Sequence, residues 1–342
     1  MALSINFTDV AERLGIGFNK PSPERLAKLD AAILALQKEK EEVAKALKQS
    51  IQFEQIPPDS KYNELHKQLL ANERVHPLES VGELVEQRIG DENSNKRCFA
   101  RVSRRGSPKV TAGIFTALVR TGVDPEEMTY GDIPGNIDEI KNMPVEPFSV
   151  PDEAEKVVAI LYTISSDNTL DWEKGGGRPL ASAVHQYLSA QAEEQGFNLI
   201  ISTLSPVRNF SKWLSKQEGF ENILDDSGEV TDLFMDDLEN DDYAEEIKKQ
   251  LLHYLVTEKD IVLNFHLGNG AFVGDLKINK GNKQDFAMVN YVYPATQDLL
   301  MEHSKFYNES GIRLLAPHLE DMLGLDVELR HNATPIPPSA SI

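Results

Sequence analysis

The chain has 342 residues, 40% of them hydrophobic, which suffices for one large or two ordinary domains with real cores. Its formal net charge of −20 excludes a general nucleic-acid binder, because nothing in bulk attracts phosphate, and admits an anionic small molecule only through a local basic pocket. A single cysteine, Cys98, rules out a disulfide framework and a paired-cysteine metal site, and no apolar run approaches the roughly 18 residues of a membrane span.

The N-terminal segment at 1–9 carries Asp9 and no basic residue, so no secretory or organelle signal is expected and the reading is a soluble cytoplasmic protein. Ser22 and Pro23 suit the N-cap and first position of a helix. From there Leu26, Leu29, Ile33, Leu36, Val43 and Leu47, with Lys40 at one position, form a heptad seam suited to a helical hairpin or a dimer contact. Ile56-Pro57-Pro58 ends it, a second helix is predicted over 61–71, and Ser80-Val81-Gly82-Glu83 opens a third. Residues 1–90 therefore read as a helical domain fit for self-association.

The pattern then changes. Strands are predicted at 96–103 and 109–119, joined as a hairpin through Arg104-Arg105-Gly106-Ser107-Pro108, with Cys98 a buried, inert thiol. A long loop with helical turns follows over 124–151. A strand at 156–164, a glycine turn at 175–179, a helix at 180–194 and a strand at 197–204 make a βαβ unit with parallel strands. Residues 225–246 hold 11 acids and no base, a solvated loop or surface helix without an EF-hand register. A helix at 245–256 precedes an apolar run from Ile261 to His266, read as a strand. A turn at 280–284, a strand at 288–292 and a helix at about 297–309 complete the ordered part, and 329–342 reads as a disordered tail.

Three places bear chemistry-capable residues. Ser205 closes the second strand of the βαβ unit, where ligands of open α/β sheets sit. It reads first as the N-cap of a helix at 209–215, a role compatible with facing a ligand. Gly175-Gly176-Gly177-Arg178 is either a phosphate cradle at a helix start or a flexible turn. Arg208, Lys212 and Lys216 form either a basic patch or a solvated helix face. In Asn264-Phe265-His266-Leu267-Gly268-Asn269-Gly270-Ala271, His266 is either a proton donor of near-neutral pKa or a satisfied core histidine. No metal-ligand spacing stands out.

Three blocks, in order, resemble the malonyl-CoA decarboxylase family. They are Ser202-Thr203-Leu204-Ser205-Pro206 followed by Phe210, Lys212, Trp213 and Leu214; the octapeptide around His266; and Met288-Val289-Asn290-Tyr291-Val292-Tyr293. Val75-His76-Pro77, Arg97-Cys98-Phe99-Ala100 and Glu302-His303 with Tyr307 and Gly311 add to it. The resemblance spans about residues 75–325. It implies an α+β architecture: an N-terminal helical, oligomerising domain, then a GNAT-like mixed β-sheet catalytic domain over 91–328. It implies conversion of malonyl-CoA to acetyl-CoA and CO2 without metal or organic cofactor, coenzyme A entering as the substrate's thioester.

By that resemblance His266 protonates the enolate and Ser205 engages the carboxylate or acts as proton acceptor. Asn290 and Tyr293 line the pocket as donors. Thr163, Ser165, Gly176, Gly177, Arg178, Leu180, Ala181 and Ser182 hold the substrate. Pro179 stands where the family carries a loop glutamate. The alternatives are a GNAT-type acyltransferase, a decarboxylase of another, possibly carrier-bound, malonyl-type thioester, and a non-catalytic acyl-CoA-binding protein. No nucleic acid or membrane partner is expected.

Overall fold

A computed structural model of the chain describes residues 33–34, 51–73, 78–104, 107–121, 128–149, 156–166 and 177–324. Contacts divide the chain into two units, Met1–Gln52 and Phe53–Ile342. In the first, Ile33 and Leu34 are helical. The rest of the heptad seam, like the tail at 329–342, lies outside the described residues.

The second unit is built on a sheet whose strands are β1 (Ile51–Gln55, of which Phe53 onward belongs here), β2 (Lys96–Ser103), β3 (Lys109–Arg120), β4 (Lys156–Ser166), β5 (Asn198–Thr203), β6 (Ser205–Pro206), β7 (Phe272–Ile278) and β8 (Ala287–Tyr293). The order is β1-β2-β3-β4-β5-β8, with β6 and β7 also paired to β8. Strands β4 and β5 pair in parallel; the registers from β2 to β3, β3 to β4, and β8 to β5, β6 and β7 are antiparallel. The unit is thus a mixed α+β fold with an open, mostly antiparallel sheet.

Successive residues of a strand face opposite sides, and both sides are covered. Phe99, Ile114 and Leu161 join one core with helix α4 (Gly177–Gln195), whose Leu180, Val184 and Leu188 repeat every four residues. Cys98, Phe115 and Tyr162 join the other with α1 (Asn63–Asn72), α2 (Val81–Arg88) and α3 (Ile137–Asn142), through Leu65, Leu69, Leu84 and Ile137. Ser80 caps α2 by accepting from Glu83 N, as the sequence predicts. The acidic stretch forms α6 (Asp232–Asp237) and the start of α7 (Asp241–Thr257), anchored by buried Phe234, Met235 and Leu238. In chain order α5 (Phe210–Leu214) precedes α6, and α8 (Ile261–Gly268), α9 (Gln297–Ser310) and α10 (Pro317–Met322) follow α7. Among the described residues no helix is long and apolar enough to cross a membrane.

One feature of the sheet creates space. The parallel ladder runs from Lys156↔Asn198 to Leu161↔Thr203 and stops, while β4 stays paired to β3 as far as Ser166. Phe115 pairs with Thr163 but Thr116 with Leu161, so Tyr162 is a bulge in β4 at that point. On the other side the chain breaks at Leu204 and resumes as β6, pairing Ser205 with Val289 of β8. Strands β4 and β5 therefore part just before Ser205.

The run from Ile261 to His266 is a helix, not the strand expected from its apolar character. A short apolar run fits either state by periodicity alone. Asp260 decides it by capping: its Oδ1 accepts from Val262 N at 2.8 Å and Leu263 N at 3.0 Å. The strand of this region lies later, at β7.

Candidate functional site

Where β4 and β5 part, a cavity of about 470 Å³ opens, lined by residues 161–164 of β4, by Leu204, Ser205, Pro206, Arg208 and Asn209, and by Asp260, Ile261, Val262, Phe265 and His266 at α8. Its wall is mostly apolar. Ser205 and His266 are its reactive groups.

Ser205 is not a helix cap. The N-cap of α5 is Asn209, which makes no side-chain capping bond. Held in β6, Ser205 instead places Oγ 3.2 Å from His266 Nε2 and 3.3 Å from Thr203 Oγ1. His266 Nδ1 lies 2.8 Å from the hydroxyl of Tyr293. Its ring stacks on Tyr291, with centroids 4.5 Å apart and planes at 18°. Tyr291 and Tyr293 are two apart on β8 and so share a face.

Two ring tautomers fit these contacts. In one, the Tyr293 hydroxyl donates to His266 Nδ1. Then Nε2 carries the ring proton and donates to Ser205, and Ser205 donates to Thr203 Oγ1, which also accepts from Tyr291 N at 3.3 Å. Every hydroxyl from Tyr293 to Ser205 is thereby used.

Burial sets the charge. His266 is 3% exposed, and loss of solvation pushes its pKa down to about 3. It is a neutral imidazole at physiological pH, not the near-neutral titrating group expected from residue type. Burial also pushes the Tyr293 and Tyr291 phenols up. Among the described residues His266 has two side-chain hydrogen-bond partners, and neither is a carboxylate.

The octapeptide is shaped by helix packing. His266 is in the last turn of α8, and Ala271 N returns to His266 O at 3.1 Å. Gly270 has φ 89°, and a Cβ there would overlap Leu300 O of α9. Tyr307 OH on Asn264 Oδ1 at 2.5 Å and Ser304 Oγ on Gly268 O at 2.7 Å tie α9 to α8.

The other expected site residues divide. Thr163 lines the same cavity as Ser205 and His266; it is buried, and its hydroxyl has no partner among the described residues. Tyr293, Ala181 and Ser182 line a second cavity of about 280 Å³. Leu180 is core. Ser165 is buried, with an unpartnered hydroxyl among the described residues. Asn290 points away from His266: being one residue from Tyr291 it faces the other side of β8, and its amide donates to Pro134 O and Thr203 O. Gly176 lies outside the described residues, and Gly177 and Arg178 are the first two residues of α4. Of the basic residues, Arg208 reaches the cavity wall, while Lys212 and Lys216 are exposed.

Sequence reasoning missed Tyr291, Thr203 as a hydrogen-bonding residue, and Asp260. The first was legible from parity with Tyr293, the last from an acid standing before an apolar run.

No family model and no curated protein matches the chain. Solved structures do. Malonyl-CoA decarboxylase from Rhodopseudomonas palustris is similar at 20% identity and a TM-score of 0.55, over 87% of this chain and 69% of that one. The enzyme of the same name from Agrobacterium vitis is similar at 21% and 0.57, over 87% and 74%. That from Cupriavidus metallidurans is similar at 22% and 0.51, over 80% and 67%. The likeness is one of fold: the chain shares the architecture of bacterial malonyl-CoA decarboxylases.

Proposed function

We propose that the chain is a cytoplasmic carboxy-lyase that converts malonyl-CoA to acetyl-CoA and CO2. The reading rests above all on the buried Ser205–His266 pair, 3.2 Å apart, on the wall of a largely apolar cavity where two strands part. The shared fold supports it.

In this reading the thioester lies along the unpaired end of β4. Ser205 turns its hydroxyl from Thr203 to the malonyl carboxylate. Leu161, Ile164, Leu204, Val262 and Phe265 keep water from that carboxylate, which favours its loss as neutral CO2. The bond to the α-carbon breaks, and its electron pair passes to the thioester oxygen as an enolate. Thr163, with its hydroxyl unpartnered among the described residues, is the donor proposed for that oxygen. His266 Nε2–H then protonates the α-carbon, a transfer by a positioned group that contributes about 10²–10⁴-fold. The turn into α4, with Gly176, Gly177 and Arg178, holds the CoA phosphates. No metal or organic cofactor enters this scheme. The N-terminal segment joins copies of the chain, and the catalytic unit is of GNAT type, a reading supported by its antiparallel strands leading into the parallel β4–β5 pair.

Incubation of the purified chain with malonyl-CoA, followed by chromatography, tests it. Acetyl-CoA is the expected product. A folded chain that binds CoA and leaves malonyl-CoA intact, or that moves its acyl group to an acceptor without CO2 release, refutes the reading.

A further inference from the structure

His266 and Tyr293 stand between two cavities. His266 lines the first, Tyr293 lines the second, and the cavities share no lining residue. The 2.8 Å bond from the Tyr293 hydroxyl to His266 Nδ1 bridges them. The second cavity is bounded by the start of α4, the end of α8 and the start of α9. At about 280 Å³ it has room for several waters. It also holds buried acceptors that need a donor. His185, 2% exposed, is 2.7 Å from Pro294 O through Nε2, and its Nδ1 has no partner among the described residues; neither has Gln297 Oε1. Unpaired buried acceptors on residues that line a roomy cavity are places where ordered water sits. Ser182, Ser304 and Lys305 add polar groups on the same lining.

We infer that the second cavity is the proton inlet of the active site, and that Tyr293 passes protons from its water to His266, on the side away from the thioester. The inference rests on the proposed decarboxylation and adds to it where the proton comes from. A neutral imidazole that gives up its Nε2 proton becomes an anion unless Nδ1 is protonated in the same event. Tyr293 is placed to do this. The α-carbon of the enolate takes the Nε2 proton, Nδ1 takes the phenol proton, and the ring ends neutral in its other tautomer. Water in the second cavity returns a proton to the phenolate, leaving hydroxide, so malonyl thioester and water give acetyl thioester, CO2 and hydroxide. After acetyl-CoA leaves, water entering the opened first cavity gives Nε2 a proton, leaving hydroxide there, while Nδ1 returns its own through Tyr293 to the hydroxide of the second cavity, and the resting tautomer is restored. Tyr293 acts through His266 and is a positioning and relay residue. During the chemical step substrate carbon and proton source are thereby kept apart.

Two measurements on the full chain test this. Nitrogen-15 NMR of the His266 ring reads the tautomer without turnover. The expected state is Nε2–H with Nδ1 a hydrogen-bonded acceptor, and Tyr293→Phe removes that acceptor signature. An Nδ1–H ring in the unmodified chain overturns the relay, whatever the substrate proves to be. In turnover, Tyr293→Phe is expected to lower kcat on malonyl-CoA by about 10²–10⁴-fold with KM little changed, and to alter the solvent deuterium isotope effect. Met301→Trp, at a half-exposed position on the second cavity, is expected to slow kcat without touching KM. Unchanged kcat in both variants overturns the inlet. An unmodified chain inert toward malonyl-CoA sinks the proposed function instead, and the tautomer then still decides the relay geometry.

Discussion

Replacing Gly270 by alanine separates two costs that the turn after α8 combines. Gly270 has φ 89°, a left-handed conformation that costs an L-residue about 1–2 kcal/mol. A Cβ there also overlaps Leu300 O, a backbone atom that cannot swing aside. Overpacking of this kind costs about 1–3 kcal/mol. Gly270→Ala is therefore expected to destabilise by about 2–5 kcal/mol. Gly311, after α9, is the control: its φ is 70°, and a Cβ added to it would meet nothing within 4 Å, so Gly311→Ala carries the conformational cost alone. Urea unfolding followed by tryptophan fluorescence gives the two values, and their difference is the clash. Because Ala271 N bonds His266 O, a shift of the turn also moves the histidine. A displacement near 1 Å costs about 10²-fold in rate, so Gly270→Ala is expected to lose turnover while Gly311→Ala keeps it. Equal destabilisation by the two substitutions refutes the reasoning.

Two further outcomes follow from charge and burial. Burial alone raises the Asp275 carboxyl, but bonds from His318 at 3.2 Å and Lys277 at 2.8 Å, with the charge of Lys248, bring it down to about 2. A folded pKa below the unfolded value near 3.8 contributes on the order of 2 kcal/mol above about pH 4, lost as pH falls toward 2. The urea midpoint is expected to fall over that window, and Asp275→Asn to flatten the fall while costing on the order of 2 kcal/mol at neutral pH. His266 titrates at about 3, so it is neutral throughout the physiological range, and kcat is expected to show no acid limb near pH 6.5 from this residue. A limb there that vanishes in His266→Gln contradicts a buried neutral donor.

Much of this fold is readable from residue order. The hairpin of β2 and β3, the βαβ unit and the cap at Ser80 follow from local rules: alternation, turn residues and a side-chain oxygen before a helix. The site is less so. Residues 261–266 are apolar on every side, and such a run suits a buried helix as well as a buried strand; the deciding atom is on Asp260, outside the run. Ser205 reads as a cap because a proline and a helix follow, whereas its role comes from a strand break that brings β8 alongside. The family resemblance groups Asn290 with Tyr293, although an odd spacing puts them on opposite faces of a strand, which is legible without coordinates. The neutrality of His266 is not legible, since it depends on Tyr291 and Tyr293 closing over a ring whose own sequence neighbours do not reveal that depth.

Decarboxylation in deuterium oxide tests the central claim most directly, because it reads bond cleavage and proton delivery in one product. With malonyl-CoA as substrate, mass spectrometry is expected to find acetyl-CoA carrying a newly added deuteron in its methyl group, with CO2 released in equal amount. Ser205→Ala and His266→Ala are expected to lose that product while still binding CoA. Acetyl-CoA formed at the unmodified rate by His266→Ala, or no acetyl-CoA from the folded, CoA-binding chain itself, would contradict the account.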